Sequence, residues 1–343
     1  MTNYANQNIQ EMESYSPPLE KRRSFNACLL DFNERTIPVS PLVKKSLLDF
    51  IQKDQIQIYP EYNGLLGRIS DYTGLDEESI MISNGSDQGI DLIFRTFTSK
   101  ADKVIIPSPS FAMFFQCAQI MENEVIKPLY GKDGAFPLAE VLDSINKELK
   151  LLVLCNPNNP TGTIISLKDI EKITQKALKF QTMVFVDEAY FEFSKITVAE
   201  LVNKYPNLII SRTFSKAFGL ASLRIGYLLS RKENIQEMLK TRGPYDVNMP
   251  SVVAAQAALM DLISLNQYVD EVMDESKPMM ERFFRKNNIK FYPSCANFIL
   301  FESDNYQKII KKGFRIRPRE GKIRITIGTV RQMKNFINQF KNA

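Results

Sequence analysis

The sequence predicts an α/β protein with a mostly parallel central sheet sandwiched by helices, together with a smaller α+β domain. Three observations favour this class. Short apolar runs alternate with amphipathic segments through the middle of the chain, polar clusters follow several of those runs, and the pattern changes after Pro250. With 343 residues, the chain is long enough to bury a large core and to divide into two domains.

The strands of the central sheet are predicted where the apolar runs occur. Helix-length segments separate several of these runs, and in Ile170–Phe180 the apolar residues recur at helical spacing. This alternation of strand and helix is typical of a parallel sheet. The predicted strands are Val104–Ile106, Val125–Leu129, Leu151–Cys155, Met183–Asp187, Leu208–Ser211 and Arg224–Leu229.

The C-terminal part of the chain has a different pattern. Helical patterns at Val252–Leu265 and Tyr268–Lys286 precede candidate strands at Phe298–Phe301, Phe314–Arg317 and Ile323–Ile327. This order of helices and then strands predicts a smaller α+β domain.

The predicted domain division has four parts. Residues 1–24 form a polar arm that is either disordered or lies across a partner subunit, and residues 25–45 associate with the small domain. The large domain comprises residues 46–245, and the small C-terminal domain comprises residues 246–343.

Composition excludes several classes of function. The net charge of +5 is small and the basic residues are scattered, which disfavours nucleic-acid binding. No apolar stretch approaches the ~18 residues that span a bilayer, and the polar first residues lack the apolar core of a secretory signal. The widely spaced cysteines indicate thiols of a reducing compartment, not a zinc site, so we expect a cytoplasmic protein. They are Cys28, Cys117, Cys155 and Cys295.

The chain contains no histidine. This excludes Ser-His-Asp and Cys-His catalysis, His-ligated metal sites and the usual proton shuttle at neutral pH. An enzyme that moves protons without histidine needs another group, such as a lysine of lowered pKa or a cofactor.

Three polar clusters follow predicted strands. They are Asn156–Gly162, Asp187–Tyr190 and Ser215-Lys216. Ligands collect beyond the carboxyl ends of the strands in open α/β sheets, so we expect the three clusters to converge on one edge.

Lys216 is the first candidate for chemistry, because it lies among aromatic and small residues just after a strand. Burial disfavours the ammonium form, and a lysine that is neutral near pH 7 attacks carbonyl groups well. The alternative is a lysine whose ammonium group reaches water.

Arg224 and Asp187 are the next candidates. A buried arginine needs an anionic partner, either a phosphate or the carboxylate of a structural salt bridge. A carboxylate at the end of an apolar strand needs a partner as well, and Asp187 could hold a cationic ring nitrogen, bind a metal or cap a loop. Tyr190 could donate to a cofactor oxygen or belong to the core.

The segment Ser83–Gly89 places small residues at the start of the helical pattern Ile90–Phe97. Backbone N–H groups at such a position bind anions, although Ser86 or Asp87 could also serve as an ordinary N-cap. Together, the lysine, the strand-end aspartate, this helix start and the arginine predict a site for pyridoxal 5′-phosphate (PLP), which supplies the electron sink.

Five motifs strengthen this prediction, because a chance match to all of them in order is negligible. They are Asn-Gly-Ser-Asp at Asn84–Asp87, Cys-Asn-Pro-Asn-Asn-Pro-Thr-Gly at Cys155–Gly162, Val-Asp-Glu-Ala-Tyr at Val186–Tyr190, Arg-Thr-Phe-Ser-Lys-Ala-Phe-Gly-Leu at Arg212–Leu220 and Leu-Arg-Ile-Gly at Leu223–Gly226. The chain thus resembles the fold-type I PLP-dependent aminotransferases, most closely the histidinol-phosphate aminotransferase family. The similarity runs from about Leu29 to Phe340.

The resemblance implies a role for each of these residues. Lys216 would form the Schiff base and then carry the proton between the α-carbon and the cofactor, and Asp187 would pair with the pyridinium nitrogen. Asn159 and Tyr190 would hydrogen-bond the ring hydroxyl, and Phe111 would stack on the ring. The residues implied to hold the cofactor phosphate are Ser86, Asp87, Gln88, Ser215 and Arg224.

The resemblance also implies a homodimer and a substrate site. Tyr59 would reach the cofactor phosphate from the other subunit, Arg324 would bind the substrate carboxylate, and Arg317 would be a second anionic anchor. Asn33 is a further candidate for substrate binding. Two positions depart from the family: no tyrosine follows Asn33-Glu34, where Arg35 could attract an anion, and Gln88 replaces an acidic residue.

The expected reaction is ping-pong transamination between an amino donor and a 2-oxo acid. Histidinol phosphate with 2-oxoglutarate is the first pair of substrates, and aromatic amino acids come next. A PLP decarboxylase of the threonine-phosphate type is the runner-up, because it shares the scaffold. A dehydrogenase is disfavoured because no strand is followed by a Gly-x-Gly-x-x-Gly turn.

Overall fold

The computed structural model describes residues 4–20, 22–23, 28–319 and 321–341. Strands β1–β12 occur in three separate sheets, and their bounds agree with most of the predicted runs. The strands are β1 Cys28–Leu29, β2 Ile80–Ser83, β3 Lys103–Ile105, β4 Glu124–Ile126, β5 Leu149–Cys155, β6 Met183–Asp187, β7 Leu208–Thr213, β8 Gly226–Ser230, β9 Phe298–Glu302, β10 Phe314–Arg315, β11 Arg317–Arg319 and β12 Lys322–Thr326.

The helices lie before, between and after these strands. They are α1 Gln7–Gln10, α2 Pro41–Gln52, α3 Asn63–Thr73, α4 Gly85–Phe97, α5 Ala112–Ile120, α6 Leu138–Ser144, α7 Leu167–Leu178, α8 Phe191–Ser194, α9 Lys232–Thr241, α10 Met249–Met260, α11 Leu262–Asp270, α12 Lys277–Lys286, α13 Tyr306–Lys311 and α14 Val330–Lys341. A π-helical segment, Glu271–Ser276, joins α11 to α12.

The central sheet has seven strands in the order β2-β8-β7-β6-β5-β3-β4. All neighbours pair in parallel except β8, which is antiparallel to both β7 and β2. The beginning of β8 therefore lies at the same edge as the carboxyl ends of β5, β6 and β7. The mostly parallel sheet confirms the predicted fold class.

Helices cover both faces of this sheet. Along β5, Leu152 and Leu154 pack into one apolar cluster, while Leu151, Val153 and Cys155 pack into the other. Successive strand residues point to opposite faces, so a continuously apolar strand is buried on both sides. The apolar runs in the sequence follow from this arrangement.

Several predicted elements have different bounds in the structure. The strand predicted at Phe314–Arg317 is divided between β10 and β11, which belong to different sheets. The strand predicted at Val125–Leu129 ends at Ile126, since Pro128 has no N–H to donate to a neighbouring strand. The strand predicted from Arg224 begins at Gly226, because Arg224 has a left-handed backbone with φ of 52°. The helix predicted at Val252–Leu265 is broken at Asp261, whose carboxylate accepts the Ser264 N–H and caps α11.

The C-terminal strands form a separate antiparallel sheet in the order β11-β12-β9. Strand β1 pairs in parallel with β10, so a segment near the N-terminus joins this part of the molecule. The predicted boundaries at residues 45 and 245 are compatible with these pairings and stay predictions, whereas the boundary at residue 24 lies outside the described residues.

Among the described residues, no single helix is long and apolar enough to cross a membrane. The pair Met249–Met260 and Leu262–Lys286 meets the criteria of length and composition only when joined, and its two parts meet at 73°.

Candidate active site

The predicted polar clusters meet at one edge of the central sheet, where β5, β6 and β7 end and β8 begins. A cavity of about 120 Å³ lies there and adjoins a wider cavity of about 760 Å³. Both are lined by Asp87, Phe111, Asn159, Tyr190, Ser215, Lys216 and Arg224. The sequence prediction of a shared edge is thus correct.

Lys216 follows the end of β7, and its side chain crosses this cavity. Its Nζ donates to the backbone oxygen of Phe32 at 3.0 Å and lies 5.8 Å from the centre of the Tyr190 ring. Burial, with help from the positive charge of Arg324, lowers the pKa of Lys216 to about 8. The neutral amine, which is the nucleophilic form, is therefore far more populated near pH 7 than in an ordinary lysine.

Asp187 ends β6 on the floor of the smaller cavity and is only 3% exposed. It accepts a hydrogen bond from Ser211 Oγ at 2.6 Å, and the Cys155 Sγ lies 3.9 Å from its Oδ2. Burial raises the pKa of Asp187 to about 6. Within the described chain no cation forms an ion pair with Asp187, so the site suits a ligand that brings a cationic nitrogen.

An anion cradle lies at the N-terminus of α4. Arg224 donates to Ser215 Oγ at 3.4 Å and pairs with Asp87 at 2.9 Å. Two glycines let these parts approach. A Cβ on Gly85 would lie 2.5 Å from Arg224 Nη2, and one on Gly226 would lie 3.0 Å from the Ser86 nitrogen. The cradle combines helix N–H groups with a guanidinium group, which fits a phosphate.

A hydrogen-bonded group closes the other side of the cavity. Asn33 Nδ2 donates to Tyr190 Oη at 2.9 Å. Arg324 donates from Nη1 to Asn159 Oδ1 at 2.5 Å and from Nη2 to the Asp31 backbone oxygen at 2.7 Å. These contacts fix Asn159 and Tyr190 beside Lys216, where the sequence predicted them.

The wider cavity is rich in cations. Arg317, Arg319, Lys322 and Arg324 of the β11–β12 hairpin line it, and Arg317 lies 5.5 Å from the centre of the Phe32 ring. Burial is the main reason that the pKa of Arg324 falls to about 10. The four cations favour a ligand that carries negative charge on the part that faces the hairpin.

The N-terminal arm lies over the site of its own chain. Tyr15, Pro17 and Leu19 line the wider cavity. Arg22 pairs with Asp31 at 2.7 Å and with Glu34 at 2.5 Å, which ties the arm to the segment that contains Asn33. The described arm residues thus pack against their own chain, and contact of the arm with a partner subunit stays a prediction.

Three predicted positions lie outside the cavities. Gln88 accepts from the Asn84 N–H at 2.7 Å and donates to Asp246 at 2.5 Å, so its side chain supports the α4 start and is not part of the lining. Tyr59 is 71% exposed and stacks on Tyr245 at 4.2 Å.

Arg35 is the third of these positions, and its guanidinium group contacts other segments of the chain. It stacks 4.4 Å from the centre of the Tyr268 ring and donates to the Ala217 backbone oxygen. Its guanidinium group is used to join segments of the chain.

Sequence reasoning missed Tyr15, Arg319 and Lys322. The two cations had a signal, because Arg317, Arg319, Lys322 and Arg324 alternate with other residues as strand residues that share one face do. No sequence signal identified Tyr15, because its position depends on how the N-terminal arm folds back over the cavity.

Comparisons with known proteins agree with this geometry. The model of the family described as aminotransferase class I and II matches residues 25–340. A histidinol-phosphate aminotransferase of Thermoanaerobacter sp. (strain X514) is 33% identical over 325 residues, covering 91% of this chain and 92% of that protein. A dihydroxyacetone phosphate transaminase of Campylobacter jejuni subsp. jejuni is 38% identical over 354 residues, covering 96% and 94%.

A solved structure of similar fold is the histidinol-phosphate aminotransferase of Sinorhizobium meliloti in complex with pyridoxal-5′-phosphate. It matches with a TM-score of 0.87 and 22% identity, covering 100% of this chain and 99% of that chain. One assignment follows from the family match over most of the chain, the relatives above 30% identity and the anion cradle beside Lys216. The chain belongs to the class I and II aminotransferase family and is a transaminase whose cofactor is pyridoxal 5′-phosphate.

Proposed function

We propose that this transaminase exchanges an amino group between a phosphorylated amino substrate and a 2-oxo acid, with histidinol phosphate and 2-oxoglutarate as the first pair. One observation carries the proposal: Arg317, Arg319 and Arg324 line the wider cavity beside Lys216. None of the three pairs with a carboxylate in the described part of the chain, which favours a strongly anionic substrate. The name of the 33% identical Thermoanaerobacter relative supports the same pair.

Dihydroxyacetone phosphate is the second candidate. The Campylobacter relative named for it has 38% identity over 96% of this chain. Dihydroxyacetone phosphate and the ketone of histidinol phosphate both carry a phosphomonoester on the carbon next to the carbonyl. The proposed substrate class is therefore a phosphomonoester with a neighbouring amine or ketone.

The lining of the two cavities supports the cofactor contacts that we propose. Arg224, Ser215 and the first turn of α4, with Ser86 and Asp87, would hold the phosphate, and Asp187 would pair with the ring nitrogen. Asn159 and Tyr190 would hold the ring hydroxyl, and the ring of Phe111 would cover one face. When bound, the cofactor supplies an electron-accepting ring that makes the proton on the substrate α-carbon acidic.

Lys216 and the arginines perform the remaining tasks in this proposal. The Lys216 amine, whose pKa burial lowers to about 8, holds the cofactor and then moves the proton at the α-carbon. Arg324 and Arg317 orient the substrate through its anionic group, and Asn33 fixes the Tyr190 hydroxyl beside it. The arm residues Tyr15 and Leu19 exclude water from this space.

A panel of half-reactions tests the substrate. Holoenzyme is mixed in turn with histidinol phosphate, the amine that corresponds to dihydroxyacetone phosphate, phenylalanine, tyrosine and glutamate. Loss of the visible absorbance of the lysine-bound cofactor reports each amino transfer. We expect glutamate and at least one of the phosphorylated amines to react. If phenylalanine reacts and both phosphorylated amines leave the spectrum unchanged, the proposed substrate class is wrong.

The proposed assembly is a homodimer, in which Tyr59 reaches the cofactor phosphate of the partner subunit. Large apolar side chains are exposed along α2, along the segment that follows it and at Tyr245, and exposed apolar surface favours contact with a second subunit. They are Leu48, Ile51, Ile56, Ile58, Tyr59 and Tyr245. Tyr59 also lies outside the cavities of its own chain, as a residue acting on the partner's site would.

Mixed dimers test the role of Tyr59. Tyr59→Phe should lose cofactor faster during dialysis than wild type, because one hydrogen bond to the phosphate is removed. In hybrids with Lys216→Ala chains, one of the two sites combines Lys216 with Tyr59 and should retain cofactor as wild type does. A hybrid that loses cofactor as fast as the Tyr59→Phe homodimer would show that each site is built from one chain.

Two further expectations belong to this proposal. The large domain of residues 46–245 would carry the cofactor, while the small domain with residues 25–45 would carry the hairpin arginines. The cytoplasm is the proposed compartment, in keeping with four cysteines that form no disulfide in the described residues.

A further inference from the structure

The β11–β12 hairpin carries four cations on one face. In its antiparallel register Arg317 lies opposite Arg324, and Arg319 lies opposite Lys322. Residues two apart on a strand share a face, so all four side chains point the same way. They line the wider cavity that adjoins Lys216. The cavity wall thus carries more positive charge than one carboxylate requires.

These cations lack compensating charge in the described part of the chain. None of the four forms an ion pair with a carboxylate there. Like charges directly opposite on a sheet are destabilising. Among the described residues, the Nε atoms of Arg319 and Arg324 are also buried without a hydrogen-bond partner. Buried donors of this kind are satisfied by a ligand or by water.

Arg319 differs from Arg324 in the hydrogen bonds that its side chain makes. Arg324 is tied to Asn159 and to the Asp31 backbone oxygen, whereas no hydrogen bond within the described chain holds the Arg319 guanidinium. Tyr15 of the arm lies close enough to influence Arg319 electrostatically. Burial, reinforced by the charge of Arg317, lowers the pKa of Arg319. The guanidinium group of Arg319 is therefore available to bind an anion between the hairpin and the arm.

The two substrates of the proposed reaction present different anions to this wall. A carboxylate carries one negative charge on two oxygens, which one or two guanidinium groups satisfy. A phosphomonoester carries nearly two charges at pH 7 on three acceptor oxygens, so it can use a third guanidinium group. A third arginine therefore favours the phosphomonoester over the carboxylate.

We propose that Arg319, with Tyr15 and Lys322 beside it, is the specificity-determining residue that selects the phosphomonoester substrate over the carboxylate amino donor. This inference rests on the proposed function, since it concerns the preference between that function's two substrates. Arg317 and Arg324 receive either anion, and Arg319 contacts the additional phosphate oxygen.

The test compares Arg319→Gln and Arg319→Lys with wild-type holoenzyme. The measured quantity is the ratio of kcat/KM for the phosphorylated amine to kcat/KM for glutamate in the half-reaction. A lost hydrogen bond to a charged group should lower this ratio by about 10- to 100-fold in Arg319→Gln. Arg319→Lys should restore part of it. The exposed Arg285→Gln is the matched control and should keep the wild-type ratio.

A second measurement does not require that the proposed substrates react. Glycerol 3-phosphate, a phosphomonoester without amine or ketone, should inhibit the glutamate half-reaction of wild-type holoenzyme, and its inhibition constant should rise by at least about 10-fold in Arg319→Gln. Unchanged inhibition, or a specificity ratio within about 3-fold of wild type, overturns the role of Arg319. If neither phosphorylated amine reacts with wild type, the proposed function fails, and the inhibition constants alone decide the role of Arg319.

Discussion

Replacing Lys216 with alanine is expected to lower kcat for transamination by at least about 10⁴-fold, because in the proposed mechanism this one amine holds the cofactor and also moves the substrate proton. No histidine is present to take over the proton transfer. Steady-state rates with glutamate and the best phosphorylated amine measure the loss. Borohydride should also fail to fix cofactor to the variant, because the amine that forms the reducible bond is gone.

Lys232→Ala is the matched control, since Lys232 is an exposed lysine that pairs with Glu78 outside the site. It should keep wild-type activity and borohydride fixation. A Lys216→Ala protein that retains more than a tenth of wild-type kcat would show that another group does this chemistry.

The lowered pKa of Lys216 also sets the pH dependence of cofactor capture by the apoenzyme. The neutral amine is the nucleophile, and burial brings the pKa from 10.5 to about 8. The capture rate should therefore rise with pH and reach half of its maximum near pH 8. A midpoint near 10.5 would show that the ammonium group is solvated as in an ordinary lysine.

Replacing Asp187 with asparagine is expected to lower kcat by at least about 10²-fold, as for the loss of a buried electrostatic partner at a reacting centre. The neutral amide is nearly isosteric with the carboxylate but cannot balance a cationic ring nitrogen. The surrounding contacts from Ser211 and Cys155 give no substitute charge. In Asp187→Asn, kcat should fall and the cofactor should be lost faster during dialysis than in wild type.

Asp91→Asn serves as its control, because Asp91 lies on the outer part of α4 and pairs with Arg95. Asp91→Asn should change neither kcat nor the rate of cofactor loss. If Asp187→Asn retains wild-type kcat, the ring nitrogen does not depend on this carboxylate, and Asp187 has a structural role with Ser211.

The sequence alone predicted the edge of the sheet at which the site lies. Apolar runs located β5, β6 and β7, and chemistry-bearing residues such as Asp187 and Lys216 come directly after them. Local pattern suffices in this case, because the carboxyl ends of parallel strands meet at one edge. Arg224 reaches the same edge by a different route, since it precedes the antiparallel strand β8.

Other features depend on long-range packing that no local pattern encodes. Arg224 has a left-handed backbone, and a Cβ on Gly226, two residues later, would lie 3.0 Å from the Ser86 nitrogen at the start of α4. The sequence left open that Arg35 could attract an anion, and in the structure its guanidinium group contacts the ring of Tyr268 and the Ala217 carbonyl. The position of Tyr15 depends on the ion pairs of Arg22 with Asp31 and Glu34.

The crowded cations of the β11–β12 hairpin have a consequence for the choice of buffer. An anion that binds the native protein raises its free energy of unfolding by mass action, so phosphate or sulfate in the medium becomes part of the measured stability. Melting temperatures taken in phosphate buffer will exceed those taken in an amine buffer at equal ionic strength. Phosphate buffer will also compete with substrate, so Michaelis constants are best determined without oxyanions.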